Sequence, residues 1–347
     1  MRYLSLFSGI GGFEKGIQQA YETIRNTNVQ EKRGGQETTK GELQEDGERL
    51  HPISEQTTLS TSNWNNEYFN RSINERQPTC IGFSEIDKYA TQIYKQHYPE
   101  HKNYGDITKI NTDELPDFDL LVGGFPCQAF SIAGKRKGFE DTRGTLFFEI
   151  ARILKAKQPR LFCLENVKGL LSHDNGNTFR IIISTLNELG YDLQWQVLNS
   201  KNHGVPQNRE RVFIIGHLRG TSRPEVFPFR DNPEATTQLS GQHSNTLTTR
   251  YYGGQANGTY VLESKLDAQE DLMIRDGRDN RSCLRSGRTP ELGVKGMSIR
   301  RLTPTECERL QGFPDNWTEV VSDTQRYKTL GNAVTVNVIQ DIMEILL

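Results

Sequence analysis

Apolar positions along this chain fall into short continuous runs separated by amphipathic stretches, and the pattern breaks twice. The run at residues 3–7 predicts a buried strand, and Ser8, Gly9, Ile10, Gly11 and Gly12 predict a turn into a helix over 13–23. The first break comes at Asn26. Residues 26–79 carry six basic and nine acidic side chains among many Thr, Asn, Gln and Gly. That composition offers too little apolar area to offset ordering entropy and predicts a polar, disordered surface insertion. Alternation then resumes, with strands expected at 80–84, 120–123, 161–164, 195–199 and 212–217 and helices at 88–97, 146–156 and 178–189. Strands alternating with helices predict an α/β fold, a doubly wound, mostly parallel sheet of Rossmann-like type. The second break runs from about 218 to 298, a Gly-, Thr- and Arg-rich span with short β-like pieces at 245–252 and 259–262. It reads as a smaller β-rich domain, and helices return at 303–310 and 334–347. The expected organisation is therefore a main domain over 1–217, a second domain over 218–323 and a closing segment, 324–347, that rejoins the first.

Length and charge narrow the classes. A chain of 347 residues buries a core large enough to need no metal or disulfide. Its five cysteines are scattered without paired spacing, which fits a reducing cytoplasm and predicts no metal site. The opening residues lack the basic and apolar regions of a signal peptide, and no apolar run approaches the roughly 18 residues of a membrane span. The net charge of −2 does not advertise a polyanion partner. Residues 273–301, however, hold eight basic against three acidic side chains, a local excess suited to phosphates.

Candidate chemistry concentrates where the strands end. Residues 120–134 (LLVGGFPCQAFSIAG) run from a buried strand through two glycines to Pro126, Cys127 and Gln128. A thiol at the carboxyl end of a central strand is either an inert buried cysteine or a nucleophile. The basic loop that follows, from Lys135 to Arg143, is either a static surface loop or a lid. The glycine turn after the first strand suits a nucleotide-like ligand. Glu85, ending the second strand, stands where such folds hold ribose hydroxyls, and Asp106 is placed to accept from an exocyclic amine; each is equally readable as a surface or capping acid. Glu165 ends another apolar strand and is a general acid or a helix cap. Arg209 and Arg211 precede a further strand as donors to a ligand or as members of salt bridges.

Taken in order, LSLFSGIGGFEKG, GFSEIDKYA, YGDITKI, GGFPCQAFSIAGKRKGFEDTRGTLFFEIARIL, LENVKGLLSHDNGNTF, GVPQNRERVFIIG, RRLTPTECERLQGFPDNW and YKTLGNAVTVNVI resemble the DNA (cytosine-5) methyltransferases of restriction–modification systems. The resemblance covers most of the chain outside 26–79 and 218–299. It implies methyl transfer from S-adenosyl-L-methionine to C5 of a flipped-out cytosine in double-stranded DNA. Cys127 would be the nucleophile, Glu165 the partner of N3 and Arg211 that of O2, with Arg209 in support. The cofactor would lie across Phe7, Gly9, Gly11, Gly12, Glu85, Asp106, Pro126, Leu146, Asn332 and Val334. DNA contacts would come from Gln128, Ser131, Lys135, Arg143, Gln207, Thr246 and Arg250, with sequence readout in the second domain. A monomer is expected, alongside a possible cognate restriction endonuclease acting on the same site. Two other readings stay open: a tRNA cytosine-5 methyltransferase, and a DNA-binding regulator with a dead site.

Overall fold

A computed structural model of the protein describes residues 1–37, 77–126, 146–221, 224–229, 244–247, 260–264 and 297–347. Strands β1 (Arg2–Leu6), β2 (Thr79–Ser84), β3 (Leu120–Gly124), β4 (Leu161–Val167) and β5 (Tyr191–Asn199) are followed by the two-residue β6 (Gln207–Asn208) and by β7 (Glu210–Leu218). Six of these form one sheet in the order β2-β1-β3-β4-β7-β5. Neighbours from β2 to β4 are parallel, whereas β7 runs antiparallel to both β4 and β5. The sheet is thus doubly wound and mostly parallel. Because β1 lies between β2 and β3, the winding reverses there and opens a crevice at the strand carboxyl ends.

Helices cover both faces. Leu4, Leu6, Leu121, Leu164 and Ile214 point into a cluster with Phe147, Ile150 and Leu154 of α3 (Leu146–Lys157) and Ile182 and Leu186 of α4 (Asn177–Glu188). Tyr3, Leu120, Val122, Cys163 and Ile215 point the other way. They meet Phe13, Ile17 and Ala20 of α1 (Gly12–Glu37) and the apolar side of α7 (Val336–Leu346). This two-sided burial explains why the strands read as continuous apolar runs and not as alternating ones. Helices α1 and α7 approach closely because Gly16 has no side chain; a Cβ there would stand 2.6 Å from Ile339.

Several boundaries differ from the sequence expectation, among them the end of β4, which runs to Val167, and the start of β7 at Glu210, and two differ most. Helix α1 continues to Glu37, past the compositional break at Asn26, while residues 38–76 of the insertion lie outside the described residues. Strand β5 begins at Tyr191, four residues earlier than its apolar pattern suggested, because its whole length from Tyr191 to Asn199 pairs with β7. A third cluster joins Ile10, the helix α2 (Lys88–His97) through Ala90 and Ile93, the helix α5 (Pro304–Leu310), Phe313, Trp317, and Leu330 of α6 (Asp323–Asn332). The end of the span assigned to the second domain therefore packs against the first glycine turn. Elsewhere in that span the described strands are β8 (Ser244–Asn245), parallel to β6, and the antiparallel pair β9 (Tyr260–Ser264) and β10 (Met297–Arg301). Residues 265–296, which hold most of the arginine-rich stretch, lie outside the described residues.

Candidate active site

The crevice at the switch point holds a cavity of about 360 Å³. Its lining includes Phe7, Gly9, Glu85, Pro126, Glu165, Arg209, Arg211 and Asn332. Strand β1 delivers Phe7 and Gly9 in left-handed backbone (φ +54° and +55°), and Gly11 follows at φ +89°. A Cβ on Gly9 would meet nothing within 4 Å, so the turn leaves open space over its backbone. Gly12 is close-packed instead: a Cβ would stand 2.7 Å from Val334.

Glu85 fastens β2 to this turn. Its Oε2 accepts from the Gly9 amide at 2.9 Å, and its Oε1 accepts from the amides of Ile86 and Asp87 at 2.9 and 2.8 Å. An ionised carboxylate offers about four acceptor positions. Three are filled by backbone, leaving Oε2 able to take one more donor, such as a ribose hydroxyl. Asp106 is arranged differently. Its Oδ1 caps the short turn Ile107–Lys109 by accepting from the amide and hydroxyl of Thr108, bonds that hold its carboxyl below the usual range.

Gly124, at the end of β3, and Glu165, two residues before the end of β4, are register partners, and Val167 pairs with Arg211 of β7. Glu165 and Arg211 are therefore diagonal neighbours on one face. Arg211 Nε lies 3.0 Å from Glu165 Oε1, both side chains being largely buried. A Cβ on Gly124 would come within 3.0 Å of Glu165 Oε2, so only glycine there leaves the carboxylate this position. The antiparallel direction of β7 is what brings its first residues, and so the arginines, to the carboxyl ends of the parallel strands.

Arg209 supports the site without facing it freely. Its Nη1 donates to the Leu247 carbonyl at 2.9 Å, and its Nη2 donates to the carbonyls of Gly331 and Ala333 at 3.2 and 2.8 Å. Burial, with Arg211 nearby, pushes its guanidinium down to about 9, so it keeps its charge at neutral pH. Gln207 is fully buried: its Nε2 donates to the Leu310 carbonyl and its Oε1 accepts from the Leu247 amide. Thr246 donates from Oγ1 to the Asn208 carbonyl. Leu146 packs at the edge of the α3–α4 cluster. Among the expected residues, Cys127, Gln128, Ser131, Lys135, Arg143 and Arg250 lie outside the described residues.

Sequence reading gave no role to Asn166, which is buried and donates from Nδ2 to the Phe125 carbonyl at 2.9 Å, fixing the turn into Pro126. It also missed Glu14, in the first turn of α1, two residues after Gly12. This residue is 1% exposed and accepts from the Tyr94 hydroxyl at 3.0 Å. Burial raises its carboxyl from 4.5 to about 7. A raised acid binds its proton more tightly when folded, so its contribution to stability is full below about pH 4.5 and is lost as pH rises through about 7. Glu14→Gln is expected to flatten the fall in Tm between pH 5 and 8; an unaltered slope in thermal melts would exclude Glu14 as its source.

The model of the C-5 cytosine-specific DNA methylase family matches residues 68–261 and 231–347. The Type II methyltransferase M1.ScrFI of Lactococcus lactis subsp. cremoris is 41% identical over 280 residues, 75% of this chain and 70% of that protein. The Type II methyltransferase M.HhaI of Haemophilus parahaemolyticus is 36% identical over 281 residues, 76% of this chain and 86% of that protein. Among solved structures, a Spodoptera frugiperda DNMT2 mutant shares the fold with a TM-score of 0.62 at 17% identity, covering 99% of both chains. Glu165 paired with Arg211 on the cavity that the glycine turn also lines thus sits within a sequence whose match extends over most of its length, and the chain belongs to the C-5 cytosine-specific DNA methylase family.

Proposed function

We propose that the protein transfers a methyl group from S-adenosyl-L-methionine to C5 of cytosine within a specific double-stranded DNA sequence. The observation that carries this reading is the Glu165–Arg211 pair, held at 3.0 Å on the same cavity as Pro126 and the Gly9–Glu85 corner. The cavity suits the cofactor: the glycine turn leaves room over its backbone, and Glu85 retains acceptor capacity for a ribose hydroxyl. When bound there, S-adenosyl-L-methionine supplies an electrophilic methyl group.

Cytosine C5 is too weak a nucleophile in the intact ring. Cys127, next to Pro126 at the end of β3, adds as thiolate to C6, which breaks aromaticity and makes C5 enamine-like. Negative charge then builds on N3 and O2. Glu165 in its protonated form donates its proton to N3, and Arg211 donates to O2, the 3.0 Å contact between the two side chains holding both in place before the base arrives. Loss of the C5 proton and expulsion of the thiolate restore the ring. A base inside a duplex is out of reach of this pocket, so the cytosine must be flipped out, at roughly a few kcal/mol. Readout is assigned to the 218–323 region, whose Leu247 contacts Arg209 and Gln207, with 1–217 and 324–347 forming the catalytic unit.

The test is transfer of tritiated methyl groups to duplex DNA and to tRNA, followed by mapping of the methylated base. Label at cytosine C5 in duplex DNA is expected. Label in tRNA alone would replace this reading with the tRNA enzyme, and no label in either would leave a binding protein.

A further inference from the structure

The turn from Phe7 to Gly12 has few side chains with which to hold itself. Its conformation rests on left-handed backbone at Phe7, Gly9 and Gly11, on the Ser8 hydroxyl bonded to Ser5, on the Ser8 amide donating to the Ser84 carbonyl at 3.3 Å, on the Gly11 amide donating to the Ser8 carbonyl at 3.0 Å, and on Glu85. One further hold comes from nearly the other end of the chain. The indole Nε1 of Trp317 donates to the Ile10 carbonyl at 2.9 Å, inside the third apolar cluster. That carbonyl belongs to the Ile10–Gly11 peptide, between the two left-handed glycines, and the bond fixes that peptide plane.

Trp317 is itself clamped. His97 stacks on its ring at 3.5 Å with 7° between planes, and His97 Nε2 donates to the Trp317 carbonyl at 2.7 Å. Beneath the loop lies Glu308, fully buried. Its Oε2 accepts from the Asn316 amide at 2.7 Å. Its Oε1 accepts from the Thr318 amide at 2.8 Å, from the Thr318 hydroxyl, and from Arg326 Nη2 at 3.0 Å. A carboxylate satisfied on both sides of residue 317 sets the backbone from which the indole reaches Ile10.

We propose that Trp317, aligned by the Glu308–Arg326 cluster, is a positioning residue that presets the Gly9–Gly12 turn for the cofactor, an inference that rests on the proposed S-adenosyl-L-methionine site. A core tryptophan without this role would alter stability only. Trp317 touches neither the Glu165–Arg211 pair nor Pro126, so its influence falls on the binding of the cofactor and not on the chemical step.

Trp317→Phe keeps an aromatic ring against His97 and Phe313 and removes the N–H. Two measurements are made on parent and variant: amide exchange at Gly9, Gly11 and Gly12 without ligand, and calorimetric titration with S-adenosyl-L-methionine. Losing one buried hydrogen bond is expected to speed exchange at these amides and to weaken binding, each by about tenfold. KM for the cofactor should rise in step, with kcat at saturation and KM for DNA within about twofold of the parent. Unchanged exchange and affinity would overturn the proposal, as would a fall in kcat with KM unmoved. If the parent itself fails to bind the cofactor, the proposed function fails, and the exchange data alone then decide Trp317: unchanged rates overturn its hold on the turn. Should Trp317→Phe not fold, Glu308→Gln disturbs the clamp from below and is read in the same way.

Discussion

Replacing Cys127 by Ser is expected to lower methyl transfer by at least about 10³-fold, because a hydroxyl is almost entirely un-ionised near neutral pH and adds poorly to C6. Cofactor affinity should change little, since the substitution exchanges one atom and residue 127 takes no part in the bond between Glu85 and the Gly9 amide. Tritium transfer to duplex DNA and calorimetric titration measure the two separately. Duplex DNA carrying 5-fluorocytosine at the target provides a matching test on the parent enzyme. Fluorine does not leave C5 as a proton does, so an adduct that survives denaturing electrophoresis is expected. A serine variant that keeps more than a tenth of parental turnover would end the covalent mechanism.

Arg209→Ala is expected to destabilise the protein by about 3 kcal/mol or more, the order found when one side of a buried charged hydrogen-bond set is removed. The carbonyls of Leu247, Gly331 and Ala333 would each lose their guanidinium donor. Arg209→Lys should fall between parent and alanine variant, as one ammonium cannot span the same three acceptors in a planar fork. Urea denaturation measures the loss. An alanine variant with parental stability but collapsed kcat would show instead that Arg209 acts on the base.

The chain's periodicity revealed most of the frame. The apolar runs at 80–84, 120–123 and 161–164 are strands, as is the run at 3–7 up to Leu6, and their interruption by amphipathic stretches announced a parallel sheet covered on both faces. The direction of β7 was hidden, because an antiparallel and a parallel strand buried on both faces share one apolar pattern. Glu85 was legible as an acid ending its strand, whereas Glu165 lies within β4, which runs on to Val167 where the sequence pattern placed its end at 164. The surroundings of Arg209 were not: its partners are backbone carbonyls, a group every residue possesses and no sequence pattern marks. Asn166, Glu14 and Trp317 escaped for a related reason. Their contacts with Phe125, Tyr94 and Ile10 depend on the packed arrangement of distant segments.

Arg209's hydrogen bonds also set an order of events during synthesis. Its three acceptors follow it by 38, 122 and 124 residues. A nascent chain that has just emerged beyond β7 already contains every strand of the six-stranded sheet, yet the guanidinium still lacks all three carbonyls. Burying that charge unpartnered is unfavourable, so closure of the sheet corner around Arg209 is expected only after residues 331–333 have been made. Chains terminated early by a nonsense codon or a stalled message would then carry the glycine turn and the strand ends without a closed reaction pocket. Such fragments would be unable to modify DNA, and the cell would be spared partially built enzymes acting on its genome.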